Sequence, residues 1–256
     1  MSDAGIDKNM AQFGRFTSRA ATHVGMVRKL NEDAFVNRPD LGLWAVADGA
    51  GGHQSGDVAS AAVAKALQGI PIGLNAGQIM AEVRLRLEAT HAYLREEAAR
   101  RGPGMMLATT VVVLLARGDY FVSLWAGDSR AYLLRGQELT QISHDHSLVQ
   151  ELVDNGTITA EEAEKHPRAN VITRAIGAHT DALELDKRTG RLIAGDRLLL
   201  CSDGLCKTLP HTQLATLLAG AEPTAAESLI TAALAAQVND NVTAVTIDYR
   251  AKGGIL

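Results

Sequence analysis

The run Leu43-Trp44-Ala45-Val46-Ala47-Asp48-Gly49-Ala50-Gly51-Gly52-His53 carries the strongest structural signal in the chain. Its apolar first half predicts a buried strand, and the small residues that follow predict a sharp turn. Asp48 stands at the end of that strand, where a carboxylate is costly to bury unless a partner such as a metal ion compensates its charge. A plain strand and turn with an N-capping aspartate would also explain the run, so this stretch alone leaves the role of Asp48 open.

Similar acids follow apolar runs elsewhere in the chain. Four of them stand at predicted boundaries between a strand and a turn, namely Asp48, Asp128, Asp203 and Asp240. Each is explicable alone as turn chemistry, but turns at one end of a strand-rich fold gather in space. Clustered carboxylates raise one another's pKa unless a cation is present. Oxygen ligands suit Mg²⁺ or Mn²⁺ better than zinc, and two such ions together activate water for displacement at phosphorus.

A polar segment from Arg28 to Asp33 adds further candidate groups. The planar guanidinium of Arg28 is suited to holding two phosphate oxygens. Glu32 and Asp33 are neighbours on extended backbone, so their side chains point to opposite faces and at most one faces a given site directly. A solvated turn between two strands would also account for these residues.

Composition limits the classes of function. The 256 residues carry a net charge of −4 and no dense basic run, which argues against nucleic acid or an anionic membrane as partner. The first twelve residues lack the apolar core of a signal peptide, and no apolar run is long enough to span a bilayer. Two cysteines are too few for a disulfide framework. We therefore expect one domain over residues 1–256, with its core at about 16–250, in a reduced, cytoplasmic and monomeric protein.

Hydrophobic periodicity predicts the order of helices and strands. Helices are predicted at 55–67, 76–101, 212–218 and 224–237, and strands at 106–116, 120–126, 131–134, 183–187, 196–201 and 242–249. The polar segment 143–174, with two short helices at 148–155 and 159–165, is predicted to be an excursion over the surface. Within it, His144, Asp145 and His146 are interpreted as a solvated, capped turn rather than a metal cluster.

Five short motifs, taken in order, resemble one family of enzymes. They are Val27-Arg28 with Asn31-Glu32-Asp33, Asp48 to His53, Gly127-Asp128-Ser129-Arg130, Ser202-Asp203-Gly204 and Asp240-Asn241. Over about residues 22–249 this pattern resembles the metal-dependent protein Ser/Thr phosphatases (PPM, type 2C), in particular the bacterial branch. The resemblance implies an α+β fold, a β-sandwich of two antiparallel sheets flanked by α-helices, with a binuclear Mg²⁺ or Mn²⁺ centre between the sheets.

The resemblance also implies a set of metal ligands. Asp48 corresponds to the acid that bridges the two ions, and the carbonyl of Gly49 to a ligand beside it. Glu32 corresponds to the acid that holds one ion, partly through water. Asp203 and Asp240 correspond to ligands of the other ion.

Further roles follow from the same resemblance. Asp128 corresponds to a ligand of a possible third, weaker ion, shared with Asp203, and Arg28 to the phosphate-binding arginine. Asp33 corresponds to an acid that orients water on the metal. Many eukaryotic members carry a histidine at the position of Ala50, and His53 is the nearest candidate for a general acid in this chain.

The implied reaction is hydrolysis of phosphoserine and phosphothreonine on proteins by direct attack of a metal-bridging hydroxide. The resemblance implies a role opposing a bacterial Ser/Thr kinase, with 143–174 as a flap that influences substrate choice. The runs 25–28 and 43–47 are also similar to phosphatases that oppose a kinase controlling type VI secretion. A catalytically weak phosphoprotein-binding regulator of the same fold is the alternative, although it predicts lost metal acids and none is lost. A phosphatase acting on small esters is a further alternative.

Overall fold

The computed structural model describes residues 15–50, 55–220 and 224–250, together with the backbone of Ala11–Phe13. These residues form twelve strands and seven helices. The strands are β1 (Ala11–Phe13), β2 (Phe16–His23), β3 (Asp33–Arg38), β4 (Leu43–Ala50), β5 (Ala108–Thr109), β6 (Val111–Arg117), β7 (Tyr120–Ala126), β8 (Arg130–Arg135), β9 (Glu138–Gln141), β10 (Asp186–Arg191), β11 (Arg197–Cys201) and β12 (Val242–Tyr249). The helices are α1 (Gly56–Gln68), α2 (Ala76–Arg101), α3 (Leu148–Asp154), α4 (Ala160–Glu164), α5 (Asp203–Cys206), α6 (His211–Leu218) and α7 (Ala225–Ala235).

The strands pair into two antiparallel sheets. The first sheet has the order β1-β2-β12-β11-β8-β9, and the second has the order β10-β7-β6-β4-β3, with β5 added to β4. Helices α1 and α2 cover the second sheet, and α5 to α7 cover the first. The prediction of a β-sandwich of two antiparallel sheets flanked by helices is confirmed.

The central strands explain why the sequence is apolar without interruption there. In β4, Trp44 and Val46 pack between the two sheets, whereas Leu43, Ala45 and Ala47 pack against the helices. Side chains alternate between the two faces of a strand, and both faces of this sheet are covered. A continuous apolar run is the expected pattern for such a strand.

Most predicted elements are present, with shifts at their ends. Helix α2 has the predicted bounds, and the two short helices of the flap are present as α3 and α4. The strand predicted at 183–187 is wrong, because the strand is Asp186–Arg191 instead. It pairs only with β7 and is largely exposed, so its position leaves little hydrophobic pattern in the sequence.

The architecture brings several connections to one end of the two sheets. Strand β3 begins at Asp33 and pairs with the end of β4, so that Asp33 lies directly opposite Asp48. The turn between β7 and β8 and the start of α5 approach the same end, since charges from both act on Asp48. Among the described residues, no helix combines the length and the apolar character needed to cross a membrane.

Candidate metal centre

The predicted acids converge on Asp48. The pKa of Asp48 is raised well above its usual range, first by burial and then by the charges of Asp33, Asp203 and Asp128. These four residues come from β3, β4, the β7–β8 turn and the start of α5, so only the folded chain brings them together. The expectation that acids at the ends of separate strands meet in space is confirmed for this group.

Asp33 is held between the two sheets. Its Oδ2 accepts hydrogen bonds from Ser202 Oγ and Thr243 Oγ1, both at 2.7 Å, and these hydroxyls belong to the first sheet and its α5 connection. Its Oδ1 is buried and has no hydrogen-bond partner. Burial, as the largest cause, raises the pKa of Asp33 to about 7. The structure therefore gives this acid one anchored oxygen and one oxygen available to a ligand.

Glu32 lies at the beginning of helix α1. Burial raises its pKa, and hydrogen bonding to the Gly56 backbone partly offsets that rise. Helix N-termini attract negative charge because their first N–H groups are unpaired. Gly56 allows this approach, since a Cβ at that position would lie 2.7 Å from Glu32 Oε1.

Asn241 fixes the segment that carries Arg28 and Glu32. Its Oδ1 accepts from the Glu32 backbone N–H at 2.8 Å, and its Nδ2 donates to the carbonyls of Val24 and Leu30, both at 2.9 Å. Only 5% of Asn241 is exposed. Asn241 belongs to the motif Asp240-Asn241, but its role was not predictable from sequence because its partners lie more than 200 positions away.

Arg28 and Asp240 meet at the rim of the acid group. Arg28 Nη2 donates to Asp240 Oδ2 at 2.8 Å, and the Arg28 side chain remains 51% exposed. Asp240 Oδ1 accepts from the backbone N–H of Asn241. The charge of Asp240 also contributes to the raised pKa of Asp33, so this fifth acid belongs to the same group.

The turn that presents Asp128 is held by the beginning of the flap. His146 Nδ1 accepts from the Gly127 N–H at 3.2 Å, and the His146 N–H donates to the Gly127 carbonyl at 3.0 Å. Asp145 receives a bidentate contact from Arg130, whose Nε donates to Oδ1 at 3.0 Å and whose Nη2 donates to Oδ2 at 2.7 Å. Asp145 and His146 are both buried, so the interpretation of 144–146 as a solvated turn is wrong for these two residues. Asp145 and His146 are buried because the beginning and the end of the flap pair with each other, as Ser147 does with Ile172.

Lys207 contacts two of the predicted ligands, which the sequence analysis did not anticipate. Its Nζ lies 3.0 Å from Asp128 Oδ2 and 2.7 Å from Asp203 Oδ2. Burial alone would lower the pKa of Lys207, but the charges of Asp203 and Asp128 outweigh it and raise that pKa. Burial, as the largest cause, nevertheless raises the pKa of Asp128 to about 6.

The acid group fits divalent cations by its chemistry. No three His, Cys, Asp or Glu side chains of residues 15–50, 55–220 and 224–250 already surround one point as preformed ligands. Lys207 and Arg28 instead take up oxygens of Asp128, Asp203 and Asp240. Oδ1 of Asp33 and Oδ1 of Asp128 remain buried without partners. Buried carboxylate oxygens that lack partners, beside acids with raised pKa, are suited to hard cations such as Mg²⁺ and Mn²⁺.

One predicted residue lies outside the described part of the chain. His53 belongs to residues 51–54, and so do Gly51 and Gly52 of the first motif. The proposal of His53 as a general acid therefore stays a prediction.

Comparisons with known proteins identify the family of this chain. The model of the family described as protein phosphatase 2C matches residues 22–239. The Mycobacterium tuberculosis serine/threonine protein phosphatase PstP is 40% identical over 227 residues, which are 88% of this chain and 43% of that protein. The chain thus spans less than half the length of this curated relative.

Solved structures show the same fold. One is PppA, described as a key regulatory component of T6SS in Pseudomonas aeruginosa, with 42% identity, a TM-score of 0.84 and coverage of 92% of this chain and 98% of PppA. Another is the catalytic domain of PstP in complex with two manganese ions, with 38% identity, a TM-score of 0.76 and coverage of 93% and 99%. The matched span, the shared sandwich and the acids at its end show that this chain belongs to the protein phosphatase 2C family.

Proposed function

We propose that the protein is a metal-dependent phosphatase that hydrolyses phosphoserine and phosphothreonine on proteins and opposes a bacterial Ser/Thr kinase. The observation that carries this proposal is the position of Asp48 among three further carboxylates, which raise its pKa. Such an arrangement is unfavourable without a cation and becomes favourable with one. Membership in the family and the PstP structure with two manganese ions support the same conclusion.

The residues that would hold two ions are those at the convergence. Asp48 would bridge them, Glu32 and the Gly49 carbonyl would complete one side, and Asp203 and Asp240 the other. When bound, the two ions supply an activated water and neutralise charge on the phosphoryl group. All five residues contribute oxygen ligands, so either Mg²⁺ or Mn²⁺ suits the set.

Arg28 is the proposed phosphate-binding group. Its guanidinium is more than half exposed, and its contact to Asp240 uses one nitrogen, Nη2. An exposed arginine at the rim has freedom to turn toward a substrate, and its planar fork matches two phosphate oxygens. We expect Arg28 to bind the phosphoryl group and to favour the developing negative charge during transfer.

Asp33 is the proposed group that orients the attacking water. Ser202 and Thr243 fix one of its oxygens, which leaves Oδ1 as an acceptor with a defined direction. A carboxylate held in this way aligns a water by accepting its hydrogen bond. Asp33 is therefore assigned a positioning role rather than a ligand role.

A protein substrate is favoured by the surroundings of the acid group. Arg28 lies in an exposed segment, and in the flap at 143–174 the residues of α4 are mainly exposed, whereas those of α3 are mainly half-buried. An open, polar rim suits a phosphorylated loop of another protein better than a small ester, which an enclosed pocket would hold. The similarity to PppA, described as a regulatory component of T6SS, makes phosphorylated proteins of such a system candidates for the substrate.

The test is hydrolysis of a phosphothreonine peptide with Mn²⁺, with Mg²⁺ and with EDTA. The wild type is compared with Asp203→Asn and with a control, Asp181→Asn, whose side chain is fully exposed and pairs only with Arg95 among the described residues. We expect metal-dependent turnover that Asp203→Asn abolishes and Asp181→Asn leaves unchanged. Folded wild type that binds Mn²⁺ and a phosphopeptide without turnover would refute the proposal in favour of a phosphoprotein-binding regulator.

A further inference from the structure

Lys207 occupies the space between two acids that belong to separate parts of the fold. It follows α5 by one residue, and its N–H donates to the Asp203 carbonyl at 2.8 Å, which closes one helical turn. Residues four apart on a helix lie on the same side, so the lysine side chain extends over that of Asp203. Its ammonium then reaches Asp128, which lies 79 positions earlier in the chain.

The ammonium group has all of its hydrogen-bonding capacity in use. A lysine ammonium has three donors, and three acceptors surround this one. Two are Asp203 Oδ2 at 2.7 Å and Asp128 Oδ2 at 3.0 Å, and the third is Oδ1 of Asn170, in the flap, at 3.1 Å. This cation is thus fully coordinated by the protein itself.

The contact provides the charge that Asp128 requires. Only 2% of Asp128 is exposed, and a buried carboxylate is costly without a cation nearby. Within the described part of the chain, Lys207 is the one cation that forms an ion pair with Asp128. A divalent ion shared by Asp128 and Asp203 would compete for the same two oxygens and would meet the positive charge of the ammonium at close range.

We propose that the Lys207 ammonium is the resident cation of the Asp128–Asp203 pair, so that this chain takes up two divalent ions and excludes a third. The inference deepens the proposed function, since it rests on the acid group being a metal centre. Each acid retains its Oδ1 while Lys207 holds the Oδ2 oxygens. Asp203 is therefore still able to bind one of the two central ions, whereas the pair as a whole is not open to an additional one.

A second consequence concerns the flap. Asn170 belongs to the flap and accepts a hydrogen bond from Lys207. Among the described residues, this is the contact by which Asn170 is connected to the acid group. Replacing the ammonium by a divalent ion would remove this hydrogen bond, because Asn170 would then face a cation held by the two acids rather than a donor. The lysine thus connects the charge balance of the centre with the position of the flap.

The test is the number of Mn²⁺ ions bound, measured by equilibrium dialysis with elemental analysis and by titration calorimetry. Four proteins are compared: wild type, Lys207→Met, the double variant Lys207→Met/Asp128→Asn, and Lys187→Met as a control that removes an exposed lysine from β10. We expect two ions for the wild type and the control, three for Lys207→Met, and two again for the double variant. Methionine is unbranched and one atom shorter than lysine, so it fills most of the same space while removing the ammonium charge and its three donors.

Three ions bound to the wild type, or two bound to folded Lys207→Met, would overturn the inference. If Lys207→Met fails to fold, the wild type and Asp128→Asn decide the question. Two ions bound to both proteins support the exclusion of a third ion. Three ions bound to the wild type and two to Asp128→Asn contradict it. Binding of no Mn²⁺ to any of the folded proteins would overturn the proposed metal centre as well, so the two failures are distinguishable.

Discussion

Replacing Asn241 by alanine removes three hydrogen bonds that hold the segment carrying Arg28 and Glu32. The bonds measure 2.8 to 2.9 Å, and each contributes about 1 kcal/mol net to stability. Their sum is about 3 kcal/mol, and water entering beside the exposed Met26 and Val27 reduces it to about 2 kcal/mol at the lower end. We therefore expect Asn241→Ala to lower the free energy of unfolding by about 2–3 kcal/mol.

The measurement is urea unfolding in EDTA, with Asn37→Ala as the matched control. Asn37 makes the same kind of contact once, as the acceptor of a 2.7 Å hydrogen bond from Ser18 Oγ. Its loss should cost only about 1 kcal/mol. Equal losses for the two variants would refute the argument that Asn241 acts through three bonds.

A second substitution separates the amide from the acceptor. Asn241→Asp retains an oxygen for the Glu32 N–H but directs a carboxylate toward the carbonyls of Val24 and Leu30. At pH 8 we expect it to be at least as destabilising as alanine, because two acceptors then face an anion. Mn²⁺ affinity, measured by calorimetry, should fall in the alanine variant because Glu32 loses its backbone anchor. It should also fall in the aspartate variant, because repulsion at the carbonyls of Val24 and Leu30 displaces the segment that carries Glu32. Wild-type stability of Asn241→Asp at pH 8 would contradict this assignment.

Three further predictions concern stability and chemistry. Without metal, the folded form retains protons on Asp33 (pKa about 7) and Asp128 (pKa about 6) that the unfolded chain has released, so the free energy of unfolding should fall as pH rises from about 4 to 7. Asp128 accounts for about 3 kcal/mol of this loss of stability at pH 8. Urea unfolding in EDTA should therefore show a smaller loss between pH 4 and pH 8 for Asp128→Asn than for the wild type. A loss of equal size would contradict the raised pKa of Asp128. Gly127→Ala should lower the free energy of unfolding by at least about 2 kcal/mol, because φ is +111° and a Cβ would lie 2.5 Å from the Thr110 side chain. The control Gly136→Ala, with φ +63° and open space around the Cβ, should lower it by about 1 kcal/mol. Thermal unfolding of the two variants tests the difference. Cys206→Ser should keep metal-dependent phosphatase activity within a few-fold, since no cysteine is a nucleophile in the proposed reaction, and complete loss of turnover in folded protein would count against it.

The sequence was most informative where local pattern and function coincide. The apolar run before Asp48 predicted the buried strand β4, because burial on both faces leaves a continuous hydrophobic signal. The motifs around Asp128, Asp203 and Asp240 placed the other acids at turns, and the fold gathers these turns at one end. Here the residues that determine the local backbone are also the ones predicted to hold the metal ions.

Contacts between distant segments were not predictable from pattern. Lys207 has no local signal, because its role depends on one helical turn and on Asp128 in another part of the chain. His146 looks like a solvated residue in a polar segment, yet it is buried because the flap closes over the Gly127 turn. Strands β9 and β10 were missed or shifted because each pairs with only one neighbour at the edge of a sheet.

Asp33 has a consequence for how variants of this protein would be interpreted. Through Ser202 and Thr243 it joins the two sheets, so the carboxylate proposed to orient the attacking water also holds the scaffold together. A mutational scan that scores only cellular abundance would mark alanine at this position as a folding defect. Asparagine, which keeps an acceptor for the two hydroxyls, would pass the same screen while failing in catalysis, so abundance and turnover must be scored side by side to recognise what the residue does.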